Sequence, residues 1–255
     1  ADLRADLALL QQLPNVLHEW NNKLTVVVCG DKLIALEQGD TTKRCYGIAL
    51  DVGTTTIVAA LIDLTTGKDL EIVSMVNPQS QYGHDVISRI NFAIEGEYGL
   101  DELQLAVIGA INQLIASLTQ SSNVKPDEIY EMTVVGNSTM FHLLLGIHPR
   151  SLGTLPYVPV VSHSVDVNAQ DLGILHVNPA ANVHVLPNIA SFVGADTVGA
   201  ILAANFDKLE DGSIKIMADM GTNCEIILRK NNQLFACSAA AGPAFEGARI
   251  KYGMY

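Results

Sequence analysis

The sequence predicts an α/β protein that contains a βββαβα unit twice, with the second copy incomplete. Two observations carry this prediction. An apolar strand, an Asp-x-Gly-Thr turn and a second apolar strand occur within residues 46–76 and return in the same order within residues 214–240. Between these copies, apolar residues recur at helical spacing, which is typical of helices that cover a sheet. A repeat this long indicates duplication of a whole structural unit rather than a solenoid.

Composition and charge narrow the class of protein. Of the 255 residues, 49% are hydrophobic and 16% are charged, which excludes a disordered chain and allows a large core. The formal net charge is -12 and basic residues do not cluster, so neither nucleic acid nor an anionic membrane is expected as a partner. No apolar run is expected to cross a bilayer and no signal segment opens the chain, so we predict a soluble, cytoplasmic protein.

The four cysteines are Cys29, Cys45, Cys224 and Cys237. None belongs to a C-x-x-C pair, and their spacings suit neither zinc nor an iron–sulfur cluster. Buried free thiols in a reducing compartment are therefore expected.

The first 45 residues are predicted to be the end of a small α/β unit and a linker. Leucines recur at helical spacing in residues 3–13, and Pro14 is expected to interrupt that helix. Two short strands are predicted on either side of the Cys-Gly-Asp-Lys turn at residues 29–32. The predicted domains are residues 1–45, a first lobe at 46–205, and the start of a second lobe at 206–255.

The first lobe is predicted to open with a three-stranded meander. Its strands are expected at residues 46–51, 56–63 and about 71–76, followed by a helix from about His84. The clearest helix spans residues 100–122. Its apolar residues share one face, and Asp101 with Gln104 suggests a capping box.

The remaining elements of this lobe follow from the same patterns. A buried strand near residues 132–135 is predicted to run parallel to the first strand, and a Gly-Asn turn then leads into a short helix that ends at Gly146. Residues 192–206 are predicted to form a helix whose small residues permit close packing against another element.

The two turns carry residue types that suit a phosphate group. Glycine lets the backbone approach closely, and turn N–H groups and threonine hydroxyls can donate to phosphate oxygens. An aspartate would repel bare phosphate, so Asp51 and Asp219 indicate Mg²⁺ between carboxylate and phosphate. The alternative is two tight turns whose Asp and Thr side chains bond only to local backbone. The matched pair favours the phosphate reading, with both tips facing one cleft.

Three other segments allow a functional and a structural reading. In the segment 77–90, His84, Asp85 and Arg89 form either a site or a capped helix start with a surface arginine, and the residue types favour the latter. Asn137 and Ser138 either reach the cleft or cap the following helix, and both readings stay open. Glu246 lies in a Gly-rich turn, where a buried carboxylate without a role would be costly.

The two turn segments, ALDVGTTTIVAALID and IMADMGTNCEIIL, resemble the phosphate-1 and phosphate-2 segments of the ASKHA superfamily of kinases, chaperones and actin. The segment GADTVGAILAANF lies where the first connecting helix of that fold would be. Four longer segments resemble the ATP-dependent reductive activators of corrinoid proteins: NPQSQYGHDVISRI, VVGNSTMFHLLLGIHPRSLGTLPYVPV, LPNIASFVGADTVGAI and AAAGPAFEGARIKYGM. This resemblance covers roughly residues 46–254.

The resemblance implies an ASKHA fold and a chemistry. Members use ATP with Mg²⁺ to drive an electron onto an inactive Co(II) corrinoid, which restores Co(I) for methyl transfer. The implied partner is a corrinoid protein, the component of a methyltransferase, and a homodimer is left open. Asp51 and Asp219 are implied as catalytic and metal-orienting residues. The implied nucleotide-binding residues are Gly53, Thr54, Thr55, Thr56, Gly221, Thr222, Asn223, Gly242, Pro243 and Glu246.

The family pattern extends beyond both ends of the sequence. An N-terminal [2Fe–2S] domain would precede it, and an adenosine-contacting segment would follow. We therefore expect this chain to be part of a longer protein, to contain no iron, to bind ATP weakly and to expose apolar surface on its second lobe.

Two other classes of function compete with the activator. A small-molecule kinase of the same superfamily would use Asp219 as its base, although no sugar-binding constellation is evident in residues 77–190. A nucleotide-gated regulatory module would change shape on ATP binding and act on a partner. Stimulation of ATP hydrolysis by a corrinoid protein or by a sugar separates these classes.

Overall fold

The computed structural model describes residues 3–208, 213–221, 223–231 and 233–240, which form three sheets and six α-helices. The strands are β1 (Arg4–Ala5), β2 (Leu24–Cys29), β3 (Lys32–Gln38), β4 (Tyr46–Val52), β5 (Thr56–Asp63), β6 (Lys68–Val76), β7 (Ile129–Gly136), β8 (Val165–Asn168), β9 (Asn182–Val185), β10 (Lys215–Met220), β11 (Asn223–Lys230) and β12 (Gln233–Ala240). The helices are α1 (Leu7–Glu19), α2 (Val86–Glu95), α3 (Gly99–Ser122), α4 (Ser138–Leu144), α5 (Arg150–Gly153) and α6 (Ala195–Ala203).

The central sheet has six strands in the order β6-β5-β4-β7-β9-β8. Strands β4, β5 and β6 form the antiparallel meander that the sequence predicts, and β7 runs parallel to β4 with Asp51 opposite Val135. The alternation in β5 explains its orientation, because Ile57, Ala59 and Leu61 are each 0% exposed and face the core. The parallel strand expected near residues 132–135 is confirmed.

Helix α3 supplies much of the core on one face of this sheet. Every member of its predicted apolar face is buried: Val107, Ile108, Ile111, Leu114, Ile115 and Leu118. The predicted capping box is wrong, because the helix begins at Gly99 and Tyr98 makes no side-chain cap. Gln104 instead donates to the carbonyl oxygen of Leu144, 3.0 Å away, and so ties α3 to α4.

By length and composition alone, α3 is also long and apolar enough to cross a membrane, which the sequence expectation did not allow. It is the one such helix among the residues described. Its apolar residues pack against β5 and β6, whereas residues such as Glu102 on the other face are exposed. Core helices of folded domains have this same pattern.

The N-terminal unit pairs β1, β3 and β2 into a small sheet beside α1. Helix α1 continues through Pro14, so the expected interruption is wrong. The unit contacts the first lobe through polar groups: the Tyr130 hydroxyl donates to Glu37 Oε1 at 2.6 Å, and Arg44 lies 3.0 Å from Glu128.

The four cysteines are free, as expected, but none is fully buried. Cys29, Cys45 and Cys224 are partly buried and Cys237 is exposed, so the expectation of buried thiols is wrong. Partial burial, followed by nearby carboxylates, raises the pKa of Cys29 and of Cys45, which keeps both as neutral thiols at neutral pH.

The second meander, β10-β11-β12, repeats the first, which confirms the predicted repeat of the three-stranded meander. Ile227 of β11 packs with Ile201 and Phe206 in a small core of its own. Its first turn is shorter by one residue, since Asp219 pairs with Glu225 whereas Asp51 pairs with Val58. Apolar side chains are exposed on this meander, as expected, among them Ile216, Met220, Leu234 and Phe235.

Candidate functional site

A cavity of about 290 Å³ lies between the first turns of the two meanders. The sequence-predicted residues among its lining are Asp51, Gly53, Thr54, Thr55, Thr56, Asp219, Gly221 and Asn223. The two turns therefore face one cleft, as predicted. Thr222, Gly242, Pro243 and Glu246 lie outside the described residues. A larger cavity of about 680 Å³ separates the N-terminal unit from β8 and β9 and shares none of these residues.

The first turn requires glycine at position 53. The Gly53 N–H donates to the carbonyl oxygen of Thr56 at 3.0 Å, and a Cβ at position 53 would lie only 2.5 Å from that same oxygen. A side chain would therefore displace the backbone of the turn. The turn stays tight and presents the three threonines that follow to the cavity.

Asn137 joins the first turn to the neighbouring helix. Its Oδ1 accepts from the N–H groups of Thr139 and Met140, which caps α4, while its Nδ2 donates to Thr54 Oγ1 at 2.9 Å. Both readings that the sequence left open for Asn137 are therefore realised. Ser138 is buried and donates to the carbonyl oxygen of Ala190, so it does not line the cavity.

The structure adds two acidic residues that the sequence reasoning missed, Asp196 and Glu225. Asp196 lies in the first turn of α6, which approaches closely because Gly194 has no side chain: a Cβ there would lie 2.5 Å from Asn137 Cα. Glu225 reaches the cavity because it pairs with Asp219 across β10 and β11. An acidic residue just after a glycine at a helix start was the available signal for Asp196.

Three of the four carboxyl groups, those of Asp51, Asp196 and Glu225, have raised pKa values. Surrounding protein removes water from the Asp51 carboxyl, although its side chain stays exposed to the cavity, and this loss of hydration, followed by the charges of Asp196 and Asp219, raises the pKa of Asp51 to about 6. Burial also raises the pKa of Asp196, with the charge of Asp219 adding to it. The pKa of Glu225 is raised mainly by burial, although a hydrogen bond from the Ser238 hydroxyl opposes the shift. Such a cluster favours a cation in the cavity.

The residues do not form a complete metal cage by themselves. Within the described residues, no three His, Cys, Asp or Glu side chains are placed to hold a metal ion together. Mg²⁺ commonly binds through one or two carboxylates together with water and phosphate oxygens. The donor set of this cavity fits that mode, in which phosphate completes the site.

The segment at residues 77–90 agrees only in part with the capped helix start and surface arginine that the sequence predicts. Asp85 caps α2 as expected, accepting from the Ser88 N–H at 2.8 Å, and His84 is exposed. Arg89, however, is 0% exposed and lies beneath the first turn, so the expected surface arginine is wrong.

The raised pKa of Asp51 makes a prediction about stability. In the unfolded chain the pKa of Asp51 returns towards its ordinary value of 3.8. Between about pH 4 and pH 6 the unfolded chain therefore releases this proton more readily than the folded protein, so the folded protein loses stability as pH rises through that interval. In metal-free buffer, Asp51→Asn should therefore gain stability relative to the wild type across that interval. Thermal unfolding of both proteins from pH 4 to 7.5 measures the difference. A difference that does not change with pH would contradict the prediction.

The sheet order, the duplicated meander and the cleft between the two turns define an ASKHA fold, the actin-like nucleotide-binding architecture. Comparison with protein families identifies the chain further. It matches the RACo linker region over residues 1–43, the RACo middle region over residues 46–209, and the C-terminal ASKHA domain of RACo over residues 213–255. The chain belongs to the RACo family.

Three relatives agree with this assignment. The corrinoid activation enzyme RamQ of Eubacterium limosum is 35% identical over 98% of this chain and 42% of its own length. The [Co(II) methylated amine-specific corrinoid protein] reductase of Methanosarcina barkeri is 28% identical over 82% of this chain and 38% of its own length. A solved reductive activator for corrinoid, iron-sulfur protein superposes with a TM-score of 0.92 and 38% identity, over 99% of this chain and 40% of that one. The chain thus spans about two fifths of these relatives.

Proposed function

We propose that this protein is an ATP-dependent reductive activator of a corrinoid protein. In this proposal, binding and hydrolysis of Mg-ATP drive the transfer of one electron to an inactive Co(II) corrinoid, giving Co(I). The corrinoid protein is the component of a methyltransferase. Membership of the RACo family and the names of the relatives support this class of reaction.

One observation carries the nucleotide part of the proposal. The Gly53 and Gly221 turns line the same cavity, and acidic side chains from both meanders stand beside them. A site between two lobes suits a triphosphate, because the ligand can hold both lobes at once and so couple its own state to their closure.

The residues of this cavity have distinct proposed roles. The hydroxyls of Thr54, Thr55 and Thr56 and the turn N–H groups donate to phosphate oxygens. Asp51 and Asp219 orient the hydrated cation, and either can accept a proton from the attacking water. When bound, Mg²⁺ neutralises charge that develops on the phosphate oxygens.

The electron must enter from another centre. The four cysteines are free, and no three possible metal ligands come together in the described part of the chain, so these residues do not fit a [2Fe–2S] cluster. No redox step is assigned to them. The role that we propose for the described residues is the binding and hydrolysis of ATP.

We also propose that the protein works as a homodimer. Sedimentation of the full-length protein measures its oligomeric state.

Partner-dependent ATP hydrolysis tests the function. The full-length protein should hydrolyse Mg-ATP faster in the presence of a Co(II) corrinoid protein and a reductant, and the Co(II) absorbance should decay only when ATP is added. Stimulation by a sugar, without any effect of the corrinoid protein, would identify a kinase and contradict the proposal. Hydrolysis indifferent to both would indicate the regulatory module instead.

A further inference from the structure

Residues 77–90, which we call the strap, pack against the side of the first turn that faces away from the cavity. The strap binds three successive carbonyl oxygens of the turn. Asn77 Nδ2 donates to the Gly53 carbonyl at 2.8 Å, Arg89 Nη2 donates to the Thr54 carbonyl at 2.5 Å, and the Asn77 N–H donates to the Thr55 carbonyl at 2.8 Å. All three carbonyl oxygens are therefore engaged by the strap.

Two N–H groups of the same turn, those of Thr54 and Thr55, have no acceptor within the described residues. Both residues line the cavity. Successive N–H groups without partners, in a turn whose carbonyls are bound elsewhere, make a concavity that suits an anion.

Arg89 is a buried cation that forms no salt bridge within the described residues, although the charge of Asp85, more than 4.0 Å away, raises its pKa and so partly favours it. Its acceptors are all neutral: the carbonyls of Thr54 and Gly83, Gln79 Oε1 and Met140 Sδ. Within the described residues no carboxylate lies within 4.0 Å of it. Burial lowers the pKa of Arg89 to about 10, so the side chain remains charged at neutral pH.

A buried charge without a salt bridge is costly, and an anion bound near Arg89 would offset more of that cost than Asp85 does alone. Asn77 and Gln79, which share this network, are also 0% exposed, and Gln79 Nε2 ties it to the carbonyl oxygen of Leu103 at 2.9 Å. The guanidinium is therefore fixed in place beneath the turn, rather than free to turn towards solvent.

We propose that Arg89, together with Asn77, is a positioning residue that holds the first turn ready for phosphate and supplies the buried positive charge that the phosphate neutralises. The proposal rests on the nucleotide site described above and deepens it. A charged donor on the Thr54 carbonyl polarises the Thr54–Thr55 peptide, which strengthens the Thr55 N–H as a donor to the ligand. Arg89 acts through this peptide and does not touch the ligand.

The simplest alternative is that Arg89 only anchors α2 to the turn. If Arg89 only anchors α2, its replacement should change the stability of the protein and not its affinity for phosphate. If its charge matters, its replacement should weaken phosphate binding, and lysine at this position should retain part of the affinity. Arg89→Met removes the charge and the hydrogen bonds, and Arg89→Lys retains the charge with fewer donors. Arg150→Met is the matched control, because Arg150 is exposed and does not line the cavity.

Titration calorimetry on the full-length protein, with Mg-ATP and with Mg-tripolyphosphate as probes, tests the proposal. Arg89→Met should weaken both probes by roughly 10-fold or more, which is the scale of a hydrogen bond from a charged group. Arg89→Lys should recover part of the loss, and Arg150→Met should match the wild type. Equal affinity in Arg89→Met and the wild type would overturn the proposal and leave the nucleotide site standing.

A measurement on the wild type avoids dependence on variants that fail to fold. With ¹⁵N-labelled arginine and threonine, the Arg89 guanidinium and the Thr55 amide resonances should shift together when Mg-tripolyphosphate is added. ATP binding without a change at Arg89 would overturn this proposal alone. Absence of binding by either probe in the wild type would overturn both this proposal and the nucleotide site.

Discussion

Replacing Asp51 or Asp219 by asparagine should lower ATP-dependent corrinoid activation by roughly 100-fold or more, because a bound metal stabilises transition-state charge by several kcal/mol. Each substitution removes one negative charge beside the phosphate turns with little change in volume. Both residues line the same cavity from different meanders, so each variant should lose activity by itself. Rates of ATP hydrolysis and of Co(II) decay in the full-length protein measure the effect.

The control for these variants is Asp69→Asn, an exposed aspartate on β6 that does not line the cavity. It should keep wild-type activity. Far-UV circular dichroism should show that all three variants are folded, and Asp51→Asn should unfold at a higher temperature than the wild type above pH 6. Wild-type turnover in both cavity variants would show that the two aspartates are turn residues only.

The parts of this fold that the sequence could predict are those that local chemistry determines. The hairpin of β4 and β5 follows from alternation around a Gly-Thr-Thr turn, and α3 follows from its apolar face. The likeness of the two turns added the one long-range prediction, that Gly53 and Gly221 meet at a single cleft, which the structure confirms. Two copies of one structural unit are expected to pack in equivalent ways, so a repeat predicts which distant segments lie together. A single motif does not.

The residues that were missed depend on approaches between distant segments. Asp196 reaches the cavity only because α6 packs against the turn after β7, and no local pattern records that contact. Arg89 reads as a surface residue because arginine is seldom buried, yet it lies under a turn that precedes it by 35 residues. The capping box at Asp101 failed for another reason, since the helix gained an earlier start at Gly99.

Gly194→Ala should both destabilise the protein and impair its activity. The added Cβ would lie 2.5 Å from Asn137 Cα and 2.7 Å from the Gly136 carbonyl oxygen, and backbone cannot rotate away as a side chain can. The clash can therefore be relieved only if α6 moves away from the turn after β7, and Asp196 would move with it. Overpacking of this kind costs about 1–3 kcal/mol, and a displacement near 1 Å in a catalytic site can cost about 100-fold in rate.

Gly109→Ala provides the contrast, because it makes the same chemical change where the new methyl group meets nothing within 4 Å. Position 109 lies inside α3, where alanine is favoured over glycine by about 0.5–1 kcal/mol, so this variant should be more stable and fully active. Thermal unfolding and ATP-dependent activation separate the two variants. If Gly194→Ala kept wild-type stability and activity, α6 would not be held by contact with the turn after β7, and Asp196 would have no fixed place beside the phosphate turns.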